Sequence, residues 1–270
     1  MSGEPQQPAG GLQSVGRALD VLEALAARGP LGVGEVATET DLPAPTAHRL
    51  LRTLVARGYA RQELGGRRYT LGARVLRLAA VSDTLLAGLA QPVLDQLAAA
   101  TGETANLALL EGAYVVYVAQ AQSHARMRMF TELGNRVPPH STAVGKVLLA
   151  ARPDAEAEAL LARLPLTAKT PSTITDRGAL RAELEAVRER GYAVDDEEEE
   201  IGVRCVAVPV PGLDEDPAAV SVSGPSSRLR REDCARLAHV LAEHAATIGA
   251  ALAGGLAADR GRPAGDAAEA

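Results

Sequence analysis

Up to Leu71 the chain changes its apolar spacing in an order that few folds accept. Val15, Ala18, Leu19, Val21, Leu22, Leu25 and Ala26 recur at helical spacing, with Ser14 as the expected N-cap and Gly29-Pro30 as the stop. A second, short helix is predicted from Val33 to Thr40. The turn TDLP leads into a third, from Pro45 to Arg57, which Gly58 ends. Proline suits that first turn, where its missing N–H has no helical partner to lose. YARQELGGRRYTL then reads as two short strands about a Gly-Gly turn. Helix, short helix, turn, helix, hairpin is the order of a winged helix-turn-helix.

That plan gives the third helix two faces. Ala47, Leu50, Leu51 and Leu54 form the buried one; Thr46, His48, Arg49 and Arg52 are presented for DNA, at or near the major groove. His48 reads equally well as a polar residue packed where two helices touch. Arg67 and Arg68 at the hairpin tip are the expected wing contacts to phosphate. Charge supports the division of labour. Residues 1–82 hold ten Arg against seven carboxylates, +3, while the remainder is −9, so the overall −6 conceals a basic head on an acidic body.

Behind this head, Leu71 to Ala80 reads as a linker helix, followed by a longer helix to Thr101. Beyond Gly102, ETANLALLEG, AYVVYVAQA and RMRMF read as strands, followed by helices at Ala143–Ala151, Ala155–Leu164 and Arg177–Arg190. YAVD, RCVAVPV and AAVSVSG give three more strands, and a last helix runs from Glu232 to Ala253. The expected fold class is α+β: a winged helix-turn-helix at 12–72, a linker helix at 73–83 and an α/β sensor-like domain at 84–253. A disordered lead at 1–11 and tail at 254–270 complete it. Aromatic residues are only 2%, without Trp, so both cores must be built from Leu, Val and Ala. Cys205 and Cys234 lie far apart with no CxxC, against a disulfide framework or a zinc site; neither metal nor cofactor is expected. No apolar run of about 18 residues appears and the N-terminus lacks a signal pattern, so no membrane span and a cytoplasmic location are expected.

One segment, HSTAVGKVLLA (His140 to Ala150), could carry chemistry. As a phosphate loop it lacks the glycine five residues before Gly145 and the hydroxyl after Lys146, where His140 and Val147 stand. As a hydrolase elbow it lacks flanking glycines around Ser141, and His140 adjoins that serine in sequence instead of facing it. As a helix start it works: Thr142 is an N-cap, and the backbone N–H groups of Ala143, Val144 and Gly145 are first-turn donors suited to a carboxylate. The competing reading packs Gly145 against a strand and turns Lys146 to water. The run DDEEEE, Asp195 to Glu200, reads as a mostly solvated face.

The blocks SVGRALDVLEAL, LPAPTAHRLLRTLVARGY, RRYTLGARVLRL, TGETANLALLEG, HSTAVGKVLLA, TITD, RERGYAVDDEE, GVRCVAVPV and VSVSGPSSRL occur here in one order. Together they resemble the IclR family of bacterial transcriptional regulators, from Leu12 to Leu252. MRMFTELGNRVPPHST is most similar to its glyoxylate-responsive repressors of allantoin breakdown. The resemblance implies a DNA-binding repressor that is not an enzyme, with a GAF/PAS-like sensor domain for a small, glyoxylate-like organic acid. Its implied partners are operator double-stranded DNA and further copies of itself, as a homodimer or a tetramer of two dimers. Ala44 and Pro45 stand where family members carry Lys and Ser, which removes one phosphate contact. Asp195 and Cys205 match positions lining the effector cavity, with a strand-end cap and a core thiol as the plainer readings. Ser221 and Ser223, two apart on one strand, face one way and need partners that a carboxylate or aldehyde hydrate would supply. Met127 and Met129 alternate on their strand as an apolar cavity wall or as core. The alternative functions are an activator of an aromatic-acid or other carbon catabolic operon and a small-molecule enzyme using Cys205 as nucleophile.

Overall fold

The computed structural model describes residues 12–63, 65–83, 86–125, 129, 133–213 and 217–260. The chain divides into two compact units after Ser82.

The N-terminal unit runs α1 (Gln13–Arg28), β1 (Leu31–Gly32), α2 (Val33–Glu39), α3 (Ala44–Ala56), β2 (Ala60–Gln62), β3 (Arg68–Leu71) and α4 (Arg74–Asp83). Its three strands pair antiparallel in the order β1-β3-β2. Val21, Leu25, Val36, Ala47, Leu51 and Leu54 from the three helices close over Ala60 and Tyr69 of the wing. The helix start differs from expectation: Leu12, not Ser14, sits at the N-cap of α1, and no side chain caps it. α3 begins one residue before Pro45, which still falls in the first turn. The wing is held to α3 by two glycines. Gly58 ends the helix region at φ +77°, and a side chain on Gly72 would stand 2.2 Å from the Gly58 carbonyl oxygen.

The C-terminal unit is a six-stranded antiparallel sheet with helices on both faces. α5 (Leu86–Thr101) leads into β4 (Thr104–Glu111), β5 (Tyr114–Ala121) and the short β6 (Arg136–Val137). After α6 (Ala143–Ala150), α7 (Asp154–Arg163) and α8 (Arg177–Arg190) come β7 (Ala193–Asp196), β8 (Val203–Pro209), β9 (Ala218–Pro225) and α9 (Cys234–Arg260). Strand order is β6-β5-β4-β9-β8-β7. On one face Leu94 and Leu97 of α5 and Leu241 and Ile248 of α9 meet Leu107, Val206, Val220 and Val222. On the other, Val144, Val147 and Leu148 of α6 lie over Ala108, Ala207 and Ala219. Alternation along β9 thus puts valines under α5 and α9, and small residues under α6. Small residues let α6 lie close to the sheet.

Two further expectations change. The strand expected at RMRMF falls mostly outside the described residues, Met127 included; Met129 belongs to no strand, and its carbonyl accepts from Thr104 Oγ1 at 3.1 Å. α9 continues to Arg260, so a loose tail does not begin at Gly254; residues 1–11 and 261–270 lie outside the described residues. No helix among the described residues is long and apolar enough to cross a membrane.

Candidate functional site

On α3, Ala44, Pro45, His48, Arg49 and Arg52 are exposed and Thr46 is half-buried, while Ala47, Leu51 and Leu54 point into the core. The exposure of His48 removes its reading as a residue packed between helices. Arg67 is exposed at the hairpin. Arg68 is engaged elsewhere: its guanidinium holds both Glu35 carboxylate oxygens at 2.8 Å and its Nε donates to the Pro30 carbonyl at 2.9 Å. It braces the wing against α2. Among the described residues Arg49, Arg52 and Arg67 form no ion pair, which leaves three cations for phosphate.

The second cluster lies on the α6 face of the large sheet. Asp195 on β7 is opposite Cys205 on β8, Cys205 opposite Ser223 on β9, and Ser221 opposite Asn106 on β4. Antiparallel pairing therefore sets residues from distant parts of the chain side by side. Cys205 Sγ donates to Ser223 Oγ at 2.9 Å. Ser221 is 1% exposed, and its Oγ has no partner among the described residues. A buried hydroxyl without a partner costs about 1–3 kcal/mol, so this one invites an incoming polar group.

The start of α6 is buried beside them. Thr142 caps the helix as expected, its Oγ1 accepting from the Gly145 N–H at 3.2 Å. That bond uses the Gly145 amide, so the first-turn donors without such a partner among the described residues are those of Ala143 and Val144. Gly145 is small for another reason than ligand access: a Cβ there would stand 2.2 Å from the Pro139 carbonyl oxygen. His140 and Ser141 do not engage each other. The imidazole Nε2 pairs with the Thr167 carbonyl at 3.1 Å, and Ser141 donates to Glu199.

The acidic run is corrected by the structure. Asp195 and Glu198 are buried, Asp196, Glu197 and Glu199 are partly buried, and only Glu200 is exposed. Thr170 and Thr173 hydroxyls donate to the Glu197 and Glu198 carbonyls, 2.6 Å each. Asp195 accepts the backbone N–H groups of Glu198 at 2.7 Å and Glu199 at 3.4 Å. Burial, with the Glu198 charge nearby, pushes its carboxyl up to about 7, so both protonation states are available near neutrality. Burial also drives the Cys205 thiol far above its ordinary range, the opposite of what a nucleophile needs. Lys146 does not face water. It is 1% exposed, with Nζ 2.5 Å from the Val194 carbonyl, 2.6 Å from Glu198 and 3.6 Å from Glu183.

Two residues of this face escaped the sequence reading. Asn106 is fully buried between Gln120 and Ser223. Tyr117 is buried near Cys205, Asp195 and Glu199, and burial followed by those neighbouring charges raises its hydroxyl well above the ordinary range. The signal for Asn106 was a lone amide in the otherwise apolar strand TANLALL.

The family model described as IclR helix-turn-helix domain matches residues 14–64, and that described as Bacterial transcriptional regulator IclR C-terminal matches residues 78–250. The chain belongs to the IclR family. IclR-family members are DNA-binding, ligand-responsive transcriptional regulators and not enzymes, so the Cys205 enzyme reading is set aside. The HTH-type transcriptional regulator BhcR of Paracoccus denitrificans is 37% identical over 226 residues, 83% of this chain and 81% of that protein. The HTH-type transcriptional repressor AllR of Escherichia coli is 32% identical over 246 residues, 90% and 91% of the two chains. Identity therefore does not single out the allantoin branch within the IclR family. A crystal structure of an IclR homolog complexed with 4-hydroxybenzoate, from Microbacterium hydrocarbonoxydans, superposes with a TM-score of 0.74 at 26% identity, covering 89% of this chain and 99% of that one.

Proposed function

We propose that this regulator is a repressor of a catabolic operon, released from operator DNA when a small organic acid binds on the α6 face of the sheet. The observation that carries the reading is the buried Ser221 hydroxyl, without a partner among the described residues, on a face shared with Ser223, Cys205 and Asp195 and beside the start of α6. Hydroxyl donors together with the Ala143 and Val144 amides suit a carboxylate. The IclR homolog complexed with 4-hydroxybenzoate supports an acid ligand, and the repressor AllR among the relatives supports repression. A glyoxylate-like acid fits the same donors. Activation of an aromatic-acid operon is the second reading, favoured by the 4-hydroxybenzoate complex alone.

Two copies are expected on DNA, because paired recognition helices read half-sites about one helical turn apart. Leu12, Val15 and Leu19 recur at helical spacing on the exposed side of α1 and supply an apolar stripe for that pairing. Association into a homodimer, or two dimers into a tetramer, is read by sedimentation. The linker helix α4 carries the coupling: effector binding changes the spacing of two recognition helices. A gel shift on DNA flanking its own gene, titrated with glyoxylate, pyruvate, allantoate and 4-hydroxybenzoate, tests the reading. Arg49→Ala should weaken operator binding about ten- to hundredfold without changing acid affinity, since each lost charged contact is worth about 1.5–3 kcal/mol. Equal loss of both would overturn the separation of the two functions.

A further inference from the structure

The acid-binding reading above leaves open why the site should prefer an acid to its neutral amide, and a row of polar side chains crossing the sheet supplies a reason. Gln120, Asn106, Ser223, Cys205 and Asp195 stand on β5, β4, β9, β8 and β7, five strands adjacent in that order. Gln120 Nε2 donates to Asn106 Oδ1 at 3.0 Å, which turns the Asn106 Nδ2 toward Ser223 Oγ at 3.4 Å. In register Asn106 lies opposite Ser221, yet its amide reaches diagonally to Ser223 and leaves Ser221 Oγ without a partner among the described residues.

A serine hydroxyl has two lone pairs and one proton. Ser223 Oγ receives the Asn106 N–H and the Cys205 S–H, so both lone pairs are taken. With the Cys205 S–H directed at this oxygen, the Ser223 proton has no oxygen or nitrogen acceptor among the described residues. Ser223 is 4% exposed and Asn106 is fully buried, so water does not restore the choice. We propose that Asn106 is a positioning residue which fixes Ser223 as a hydrogen-bond donor, so that the site reads a carboxylate oxygen and rejects a ligand presenting an N–H there. The inference rests on the acid-binding reading of this face. It assigns to Asn106, which does not itself touch the ligand, the discrimination between an acid and its amide. A site built from committed donors leaves an amide N–H facing another N–H or O–H, and an unpaired buried polar contact is penalised heavily.

The test is isothermal titration of the full chain with two acid–amide pairs, pyruvate with pyruvamide and 4-hydroxybenzoate with 4-hydroxybenzamide. Wild-type protein should prefer the acid of at least one pair by about a hundredfold. Asn106→Asp replaces the donor to Ser223 by an acceptor, which captures the Ser223 proton and should lower acid affinity about ten- to hundredfold. Asn106→Ala covers the case where the buried carboxylate prevents folding. It frees a Ser223 lone pair and should bring the acid-to-amide ratio down at least about tenfold, with operator binding and the circular dichroism spectrum retained. A merely structural asparagine would weaken both ligands alike, and an unchanged ratio in a folded variant overturns the proposal. Wild-type protein that binds neither acid overturns the reading of the face itself, and this inference with it. Acid binding by the wild type with an unchanged ratio in the variants overturns this inference alone.

Discussion

Lys146→Ala should destabilise the C-terminal unit by about 3–5 kcal/mol, the range for removing one partner of a buried ion pair. The ammonium is 1% exposed and serves three acceptors: Glu198, Glu183 and the Val194 carbonyl of the edge strand β7. Without it Glu198, whose other carboxylate oxygen is already without a partner among the described residues, is left buried and uncompensated. Burial already raises the Glu198 carboxyl above its ordinary value, with the Lys146 charge opposing that rise. Removing the lysine should raise it further, so Glu198 takes up a proton when the variant folds. The sign follows: a carboxyl higher in the folded than the unfolded chain makes the variant lose stability as pH rises from the ordinary carboxylate range through its folded value. Urea unfolding at pH 5 and pH 8 reads this directly. Lys146→Met with Glu198→Leu should recover most of the loss, because a buried pair and an apolar pair of similar size differ little. A loss below about 1 kcal/mol for Lys146→Ala would show that the network is solvated.

Ser221→Ala with Ser223→Ala should abolish the response to effector while leaving operator affinity as it was. Both hydroxyls are buried on the small-residue face beneath α6, and α3 with its arginines belongs to the other compact unit. Because Ser221 Oγ has no partner among the described residues, its removal relieves a buried polar atom and should not unfold the sheet. Loss of two donors to a carboxylate corresponds to about 3–6 kcal/mol at 1.5–3 each, more than a hundredfold in affinity. Release of DNA by the double variant at the wild-type effector concentration would place the site elsewhere.

Local spacing made most of this legible. The winged helix, the alternating valines and serines of β9 and the Thr142 cap each follow from neighbours within a few residues. What stayed hidden depends on contacts distant in sequence. Lys146 sits in a small-residue helix start that reads as exposed, and the distant carboxylates of Glu183 and Glu198, with the Val194 carbonyl, make its burial tolerable. The acidic run looks solvated because nothing local shows that Thr170, Thr173, Ser141 and Lys146 converge on it. Arg68 reads as a wing contact until Glu35, on α2, is seen to hold it. Gly145 was legible as small, but the Pro139 carbonyl behind it explains why.

The proposed role of the α6 face is to make DNA affinity depend on a bound acid. The direct measurement is fluorescence anisotropy of labelled DNA flanking its own gene, with the full chain titrated in the absence and presence of each acid. One acid should shift DNA affinity by about 5- to 150-fold, the usual range of coupling between two sites, and DNA should shift that acid's affinity by the same factor. Tight acid binding with DNA affinity unchanged by every acid would contradict the account.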